Sequence, residues 1–332
     1  MSVKVGIPRA LLFYEYYPLW KAFFEELGAQ VIVSQKTNKE IFNNGIKSAV
    51  NEACIPVKIY HGHVLDIKDK VDYLFIPRLK SICKGEYICP KFCGLPEMIK
   101  YSINDLPPMI YPEIDFMKDK KNLKEIICEV GKYFTGDSTR ILSAYDKAYL
   151  NYKAYKESVN KGMIPMDGES IIKETSCSKV KTEDTKKIMI MAHSYNLYDT
   201  YMNMSIINKI QSRGVEVLTP EMIDEEYIND YVHKFKGNIY WTFARKLIGT
   251  AMYSIDTKNV HGIIYISTFG CGIDSVVGDM VEKHIRKESN IPFVLVTLDE
   301  HSGEAGINTR MEAFIDMIKW RDTSENNISA NG

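Results

Sequence analysis

Three of the seven cysteines stand directly ahead of a predicted helix start. Cys54 and Cys89 are each followed within two residues by a proline, which suits a first helical turn because its missing N–H costs nothing there. Cys271 lies between two glycines and ahead of Asp274, the residue expected to cap the next helix. A helix N-terminus lowers the pKa of a nearby thiol and favours the thiolate. These cysteines are therefore candidate metal ligands or nucleophiles.

The other cysteines fall into two groups. Cys83 and Cys93 flank Cys89, six residues before it and four after, and are further candidate ligands. Cys128 on an apolar helix face and Cys177 in a polar linker are expected to have no such role. The spacing matches neither a zinc ribbon with paired knuckles nor a ferredoxin run. An odd number of cysteines without an export signal argues against a disulfide framework.

Short apolar runs alternate with segments of helical period, the pattern of parallel sheets flanked by helices. The predicted strands are Val3–Ile7, Gln30–Val33, Tyr73–Ile76, Ile188–Ala192, Val215–Leu218, Gly262–Thr268 and Phe293–Thr297. The predicted helices include Leu11–Leu27, Asn38–Val50, Leu197–Arg213, Pro220–Phe235, Phe243–Ser254, Asp274–Glu288 and Ile307–Trp320. We therefore predict an α/β fold with two Rossmann-like, flavodoxin-like lobes.

The predicted domains follow from this alternation. Residues 1–112 form an N-terminal lobe with Cys54, Cys83, Cys89 and Cys93, and residues 187–320 form a C-terminal lobe with Cys271. Residues 113–186 are predicted as a helical connector and charged linker, and residues 321–332 as a disordered tail. The distant cysteines can converge only if the two lobes face each other across a cleft. Otherwise each cysteine is a small buried hydrophobic residue.

Composition excludes several classes of protein. The 332 residues carry 42 Lys+Arg against 43 Asp+Glu, a formal net charge of -1, which lacks the positive excess that nucleic acid binding requires. No segment is apolar enough to span a membrane, and no secretion signal precedes the first strand, so a cytoplasmic location is predicted. Phosphate loops, dinucleotide fingerprints and serine nucleophile elbows are all missing from the sequence.

Seven other polar residues are candidates for supporting roles around such a site. They are Arg9, His61, His63, Lys91, Asp299, Glu300 and His301. The first two histidines are two residues apart and point to different helix faces, which favours structural hydrogen bonds over ligation. The last three residues follow a strand end, where they either tune the site and deliver protons or cap the loop. Arg9 and Lys91 either offset the charge of an anionic cluster, attract a charged substrate, or lie on the surface.

Four motifs, in order, resemble the 2-hydroxyacyl-CoA dehydratase superfamily. They are CIPVK at 54–58 with HGH at 61–63, Cys89-Pro90, FGCGIDS at 269–275, and DEHSG at 299–303 with TRMEAF at 309–314. More narrowly, the chain is similar to the uncharacterised domain found alongside CoA-substrate-specific enzyme activases. The resemblance extends from Gly6 to about Trp320.

This resemblance implies an oxygen-sensitive iron-sulfur protein of anaerobic metabolism, with the cluster in the cleft and Cys54, Cys89 and Cys271 as ligands. Three thiolates on a 4Fe-4S cluster leave one iron open to substrate oxygen or water. The resemblance also implies an ATP-dependent activator as electron donor and an acyl-CoA or other small-molecule substrate. A homodimer is a further prediction.

The extra thiols of Cys83 and Cys93 keep other arrangements open. The cluster could be fully ligated, which favours a non-catalytic electron relay that docks to another enzyme. It could also be the double-cubane 8Fe-9S type of a related branch that reduces small molecules, but six ligands would then require Cys128 or Cys177. A zinc protein with the same thiolates is the third alternative. The enzyme class, reductase or dehydratase-like, stays open as well.

Overall fold

The computed structural model describes residues 2–117, 122–165, 185–235 and 237–329. The chain divides into two compact units. Unit 1 comprises Met1–Thr175 with Asn238–Ala244, and unit 2 comprises Ser176–Gly237 with Arg245–Gly332. In the described ranges, we find no helix with the length and apolar character needed to cross a membrane.

Unit 1 is built on a parallel four-stranded sheet with the order β2-β1-β3-β5. Its strands are β1 (Lys4–Ile7), β2 (Gln30–Val33), β3 (Tyr73–Phe75) and β5 (Met109–Ile110). The direction of winding reverses between β1 and β3, as in flavodoxin-like folds. The first three strands were predicted from sequence to within one residue at each end.

A second, two-stranded sheet in unit 1 was not predicted. It pairs β4 (Arg78–Ser81) in parallel with β6 (Glu113–Asp115). Both strands are short and carry charged residues, so neither forms an apolar run that sequence patterning can detect.

Unit 1 contains seven α-helices among its described residues. They are α1 (Phe13–Glu26), α2 (Lys39–Ser48), α3 (Ile55–Ile67), α4 (Pro90–Cys93), α5 (Leu95–Ser102), α6 (Leu123–Gly131) and α7 (Ser138–Asn160). Pro18 lies inside α1 and has no N–H to offer the carbonyl of Tyr14. The Tyr155 hydroxyl from α7 donates to that carbonyl instead, at 2.8 Å. Thus α7, which lies in the segment predicted as a connector, packs on α1 of unit 1.

Unit 2 repeats the same winding order with β10-β9-β7-β8, again all parallel. Its strands are β7 (Lys187–Met191), β8 (Glu216–Leu218), β9 (Gly262–Thr268) and β10 (Phe293–Leu298). All seven residues of β9 are buried, as expected for a central strand covered on both faces. Two sheets with parallel strands and flanking helices confirm the predicted α/β fold class.

The remaining helices are α8 (Ser194–Tyr198), α9 (Ile206–Ser212), α10 (Glu225–Lys234), α11 (Thr242–Thr257), α12 (Gly272–Glu288) and α13 (Glu304–Ser329). The prediction of a single helix over Leu197–Arg213 is wrong, because the helical conformation is interrupted between α8 and α9. Met204 and Ser205 both have φ near 56°, a left-handed backbone that no helix can continue through. The predicted disordered tail starts at residue 321, whereas α13 continues through that position to Ser329.

Candidate metal centre

All three candidate ligands of the sequence analysis occupy the N-cap of a helix. Cys54 caps α3, Cys89 caps α4 and Cys271 caps α12. The prolines after the first two lie at the first or second helical residue, where they were predicted. The helix-start placement is therefore confirmed. Among the described cysteines, which exclude Cys177, no disulfide forms.

Cys54 is positioned by the tight packing of α3 on α2. Helix α3 is buried along nearly its whole length, including its polar residues Lys58, His61 and His63. Two glycines make the close approach possible. A Cβ on Gly45 would lie 2.1 Å from the carbonyl oxygen of Lys58, and one on Gly62 would lie 2.0 Å from that of Ile41. The backbones of α2 and α3 are therefore in direct contact, which fixes the position of the start of α3 and of Cys54.

The segment from the end of β4 through α4 carries Cys83, Cys89 and Cys93, all partly buried. The Ser81 hydroxyl donates to the carbonyl of Cys83 at 2.7 Å, and Arg78 Nη1 donates to the carbonyl of Cys93 at 2.9 Å. Both of these residues belong to β4, so the small second sheet holds the cysteine segment at either end. The two-stranded sheet, which was not predicted, therefore positions these cysteines in unit 1.

Cys271 lies beside a buried ion pair that the sequence analysis did not find. His193 Nε2 donates to Asp274 Oδ1 at 3.0 Å, and both side chains are at most 3% exposed. The Tyr265 hydroxyl donates to the same oxygen at 3.1 Å. One ligand atom each from His193, Cys271 and Asp274 lie within 4.8 Å of one another, a spacing compatible with metal binding.

The role predicted for Asp274 is wrong in one respect. Cys271 itself caps α12, and its sulfur accepts a hydrogen bond from the Asp274 backbone N–H at 3.5 Å. The carboxylate of Asp274 is instead turned into the interior of unit 2 toward His193. Its Oδ2 is buried and receives no hydrogen bond from any described residue.

The protonation states of His193 and Cys271 depend on each other. Burial opposes a charge on His193, but the charge and hydrogen bond of Asp274, together with Cys271, raise the pKa of His193 to about 10. Burial raises the pKa of the Cys271 thiol by more than the hydrogen bond with His193 lowers it. The backbone N–H at the start of α12 does lower the pKa of this thiol, as expected, but burial outweighs it and the pKa of Cys271 is raised overall.

Sheet topology explains why these residues meet. His193 follows β7, whereas Cys271 and Asp274 follow β9, and the two strands are parallel neighbours. The winding of the sheet reverses between β7 and β9, and such a switch point is the usual ligand site of open α/β sheets. The sequence signal for His193 was its position two residues after a buried apolar strand.

The two histidines of α3 have structural partners, as predicted. His61 Nδ1 pairs with the carbonyl of Val57 at 2.8 Å, and His63 Nε2 pairs with the Thr37 hydroxyl at 3.0 Å. Burial and the nearby Arg9 lower the pKa of His63 to about 3, against the opposing effect of Asp66. Burial also lowers the pKa of His61. Both imidazoles are therefore neutral at pH 7.

Arg9 follows β1 at the switch point of unit 1. Its backbone N–H donates to the Ser34 hydroxyl at 2.8 Å, and its Nε donates to the Ser34 carbonyl at 3.0 Å. The guanidinium lies over the ring of Phe13. These contacts hold Arg9 at the switch point of the sheet, where a polar side chain could contact a bound ligand.

The other predicted supporting residues lie at the surface or in a loop. Asp299 accepts hydrogen bonds from the backbone of His301 at 2.7 Å and from the Ser302 hydroxyl at 3.1 Å, which is loop capping after β10. Glu300 is half-buried and His301 is exposed. Lys91 in α4 is half-buried as well.

The donor set fits an iron-sulfur cluster better than a hard cation. Thiolate sulfur is the ligand that such clusters take, and hydrogen bonds to that sulfur tune them. The Asp274 N–H on Cys271 Sγ is one such bond. At Cys54 and Cys89 the helix N-terminus contributes its partial positive charge, and neither side chain accepts a cap hydrogen bond from its helix.

Comparisons with protein families agree with these observations. The family described as the CoA enzyme activase uncharacterised domain matches residues 4–223, about two thirds of the chain. The 2-hydroxyglutaryl-CoA dehydratase D-component family matches residues 169–318. No curated protein matches the chain. Cys54 and Cys89 lie in the first match, Cys271 in the second and His193 in both. The chain belongs to the CoA enzyme activase uncharacterised domain family and, with it, to the 2-hydroxyacyl-CoA dehydratase superfamily.

Proposed function

We propose that this protein is a dehydratase-like iron-sulfur component that receives low-potential electrons from an ATP-dependent activator. The observation that supports it most is the shared placement of Cys54, Cys89 and Cys271, each at a helix N-cap. The match of the C-terminal part of the chain to a dehydratase component supports the same conclusion.

The residues have separable roles in this proposal. The three N-cap thiolates are the ligands, and a 4Fe-4S cluster so held would supply an open iron as a Lewis acid for a substrate oxygen. His193 and Asp274 surround one ligand in the interior of unit 2. Arg9 and Lys91 contribute positive charge that offsets the anionic cluster.

Three alternatives stand beside this proposal. If Cys83 or Cys93 completes the ligand set, no iron is open and the protein serves as an electron relay rather than an enzyme. A double-cubane cluster needs six ligands, so Cys128 or Cys177 would have to join the five other cysteines. The His193, Cys271 and Asp274 group favours a third alternative, a single Zn²⁺, because zinc accepts nitrogen, sulfur and oxygen ligands at such spacing.

Metal analysis of protein purified without oxygen separates these alternatives. We expect a brown protein with iron and acid-labile sulfide in similar amounts, about four of each per chain for one 4Fe-4S cluster. About eight irons would indicate the double cubane. Zinc without sulfide would contradict the iron-sulfur proposal. Exposure to air should bleach the absorption, because an iron that is open to solvent reacts with oxygen.

The negative charge of the reduced cluster is the reason that an ATP-dependent activator is needed. Adding an electron to a thiolate-bound cluster concentrates negative charge in a region of low dielectric, which drives the potential toward the lower end of the iron-sulfur range, roughly -700 mV. We therefore expect the activator with ATP to reduce the cluster and the activator with a non-hydrolysable ATP analogue to leave it oxidised. The reduced fraction is measured by electron paramagnetic resonance. Full reduction by a ferredoxin alone would contradict this requirement.

A further inference from the structure

We propose that His193 is a positioning residue that orients Cys271 and donates a hydrogen bond to its sulfur, and so raises the reduction potential of the bound cluster. This inference rests on the proposed function, since it assumes that Cys271 is a cluster ligand.

The imidazole of His193 is held in one orientation. Its Nε2 donates to Asp274 Oδ1 at 3.0 Å, and the Tyr265 hydroxyl anchors the same carboxylate oxygen from β9. The ring also lies 5.1 Å from the ring of Tyr195, measured between centroids. A side chain that is 3% exposed and held in this way cannot change rotamer freely.

The same imidazole lies beside the thiol of Cys271, with a ring nitrogen of His193 and Cys271 Sγ within 4.8 Å of each other. The interaction between the two side chains raises the pKa of His193 and opposes the burial that raises the pKa of Cys271. In the proposed arrangement the sulfur accepts a hydrogen bond from the ring of His193 as well as from the backbone N–H of Asp274. Hydrogen bonds to a ligand sulfur stabilise the reduced cluster more than the oxidised one, because the reduced cluster carries more negative charge.

Stability alone does not account for the pair. A buried ion pair is often no more stable than apolar residues of the same volume, because both charges lose their hydration. His193 and Asp274 form such a pair in unit 2, beside two strands, β7 and β9, that are buried over nearly their whole length. Their position against a candidate ligand, at the switch point between β7 and β9, points to a role toward that ligand.

The test compares the holoprotein with its His193→Leu variant in an anaerobic potentiometric titration followed by electron paramagnetic resonance. Leu keeps much of the volume but donates no hydrogen bond. We expect the ratio of reduced to oxidised cluster at a fixed potential to fall about tenfold, which for one electron is ~59 mV toward more negative values.

Two further variants keep the test decisive. His193→Gln, whose amide nitrogen carries two protons and can therefore donate to both the Asp274 carboxylate and the Cys271 sulfur, should recover most of the lost potential. Tyr265→Phe removes a hydrogen bond from the same Asp274 carboxylate but leaves the imidazole, and should change the ratio less than twofold. If His193→Leu does not load iron, His193→Asn replaces it, because its shorter amide cannot reach Asp274.

The outcomes distinguish this inference from the function on which it rests. A wild-type protein without a cluster would overturn the proposed function. A wild-type cluster whose potential is the same in the His193→Leu or His193→Asn protein would overturn only the role of His193. A shift that His193→Gln does not reverse would also overturn it, since the effect would then come from packing or from the lost charge of the imidazole rather than from hydrogen bonding.

Discussion

Replacing Cys54, Cys89 or Cys271 by alanine is expected to remove most of the bound iron. Under the proposed function each variant deletes one thiolate from a set of three, and a cluster with two protein ligands should be lost during purification. Iron and sulfide per chain, measured after anaerobic gel filtration, should fall below about one tenth of the wild-type values. Cys128→Ala is the matched control, because Cys128 lies half-buried on α6 and is not a candidate for the three-ligand site.

The fold of each apo-variant is measured to exclude unfolding as the cause of the lost iron. Deleting one sulfur from the buried Cys54 costs about 1 kcal/mol, too little to unfold a domain. Circular dichroism and the unfolding midpoint of the apo-proteins should therefore stay close to those of the wild type. Full iron content with an unchanged spectrum in the Cys89→Ala protein would show that the ligand assignment is wrong.

The same series of variants addresses Cys83 and Cys93. A fourth thiolate would change the electron paramagnetic resonance spectrum of the reduced protein when it is removed, even if the cluster survives. Identical spectra in the wild type, Cys83→Ala and Cys93→Ala would rule out ligation by either. That result would leave one iron without a protein ligand and favour an enzyme over an electron relay.

The fold could be predicted from sequence where local pattern decides it. The buried strands β7 and β9 are runs of apolar, mostly β-branched or methionine residues, and such runs have few alternatives to a central parallel strand. The helix starts at Cys54 and Cys89 were predictable because proline fixes the first turn. Both signals lie within a few residues of the feature they predict.

The group around Cys271 could not be predicted, because its members meet only through the order of strands in a sheet. His193 follows β7 and Asp274 lies in the first turn of α12, and nothing near either of them in the sequence indicates the other. Tyr265 is part of a strand that reads as pure core, so its hydroxyl gave no signal. The burial that reverses the expected pKa shift of Cys271 is likewise a property of the packed unit.

Gly62 carries the other large effect that we expect. Gly62→Ala should lower the free energy of unfolding of unit 1 by about 1–3 kcal/mol or more, because the new Cβ would lie 2.0 Å from the backbone oxygen of Ile41. No rotamer relieves a contact between a Cβ and a backbone atom, so α2 and α3 must separate. The midpoint of urea unfolding, followed by the fluorescence of Trp20 in α1, measures the loss.

Gly278→Ala is the matched control, because Gly278 also lies inside a helix and its nearest neighbour is a ring carbon of Tyr265 at 3.5 Å, an ordinary contact. Both substitutions bring the same gain in helix propensity, roughly 1 kcal/mol, so their difference isolates the clash. A urea midpoint for Gly62→Ala equal to or higher than that of Gly278→Ala would show that α2 and α3 can move apart without loss of stability.

Because α3 begins directly after Cys54, separating α2 from α3 also moves this candidate ligand. We therefore expect Gly62→Ala to lower iron content at temperatures where the variant is still folded, which would link the glycine packing of unit 1 to the metal centre.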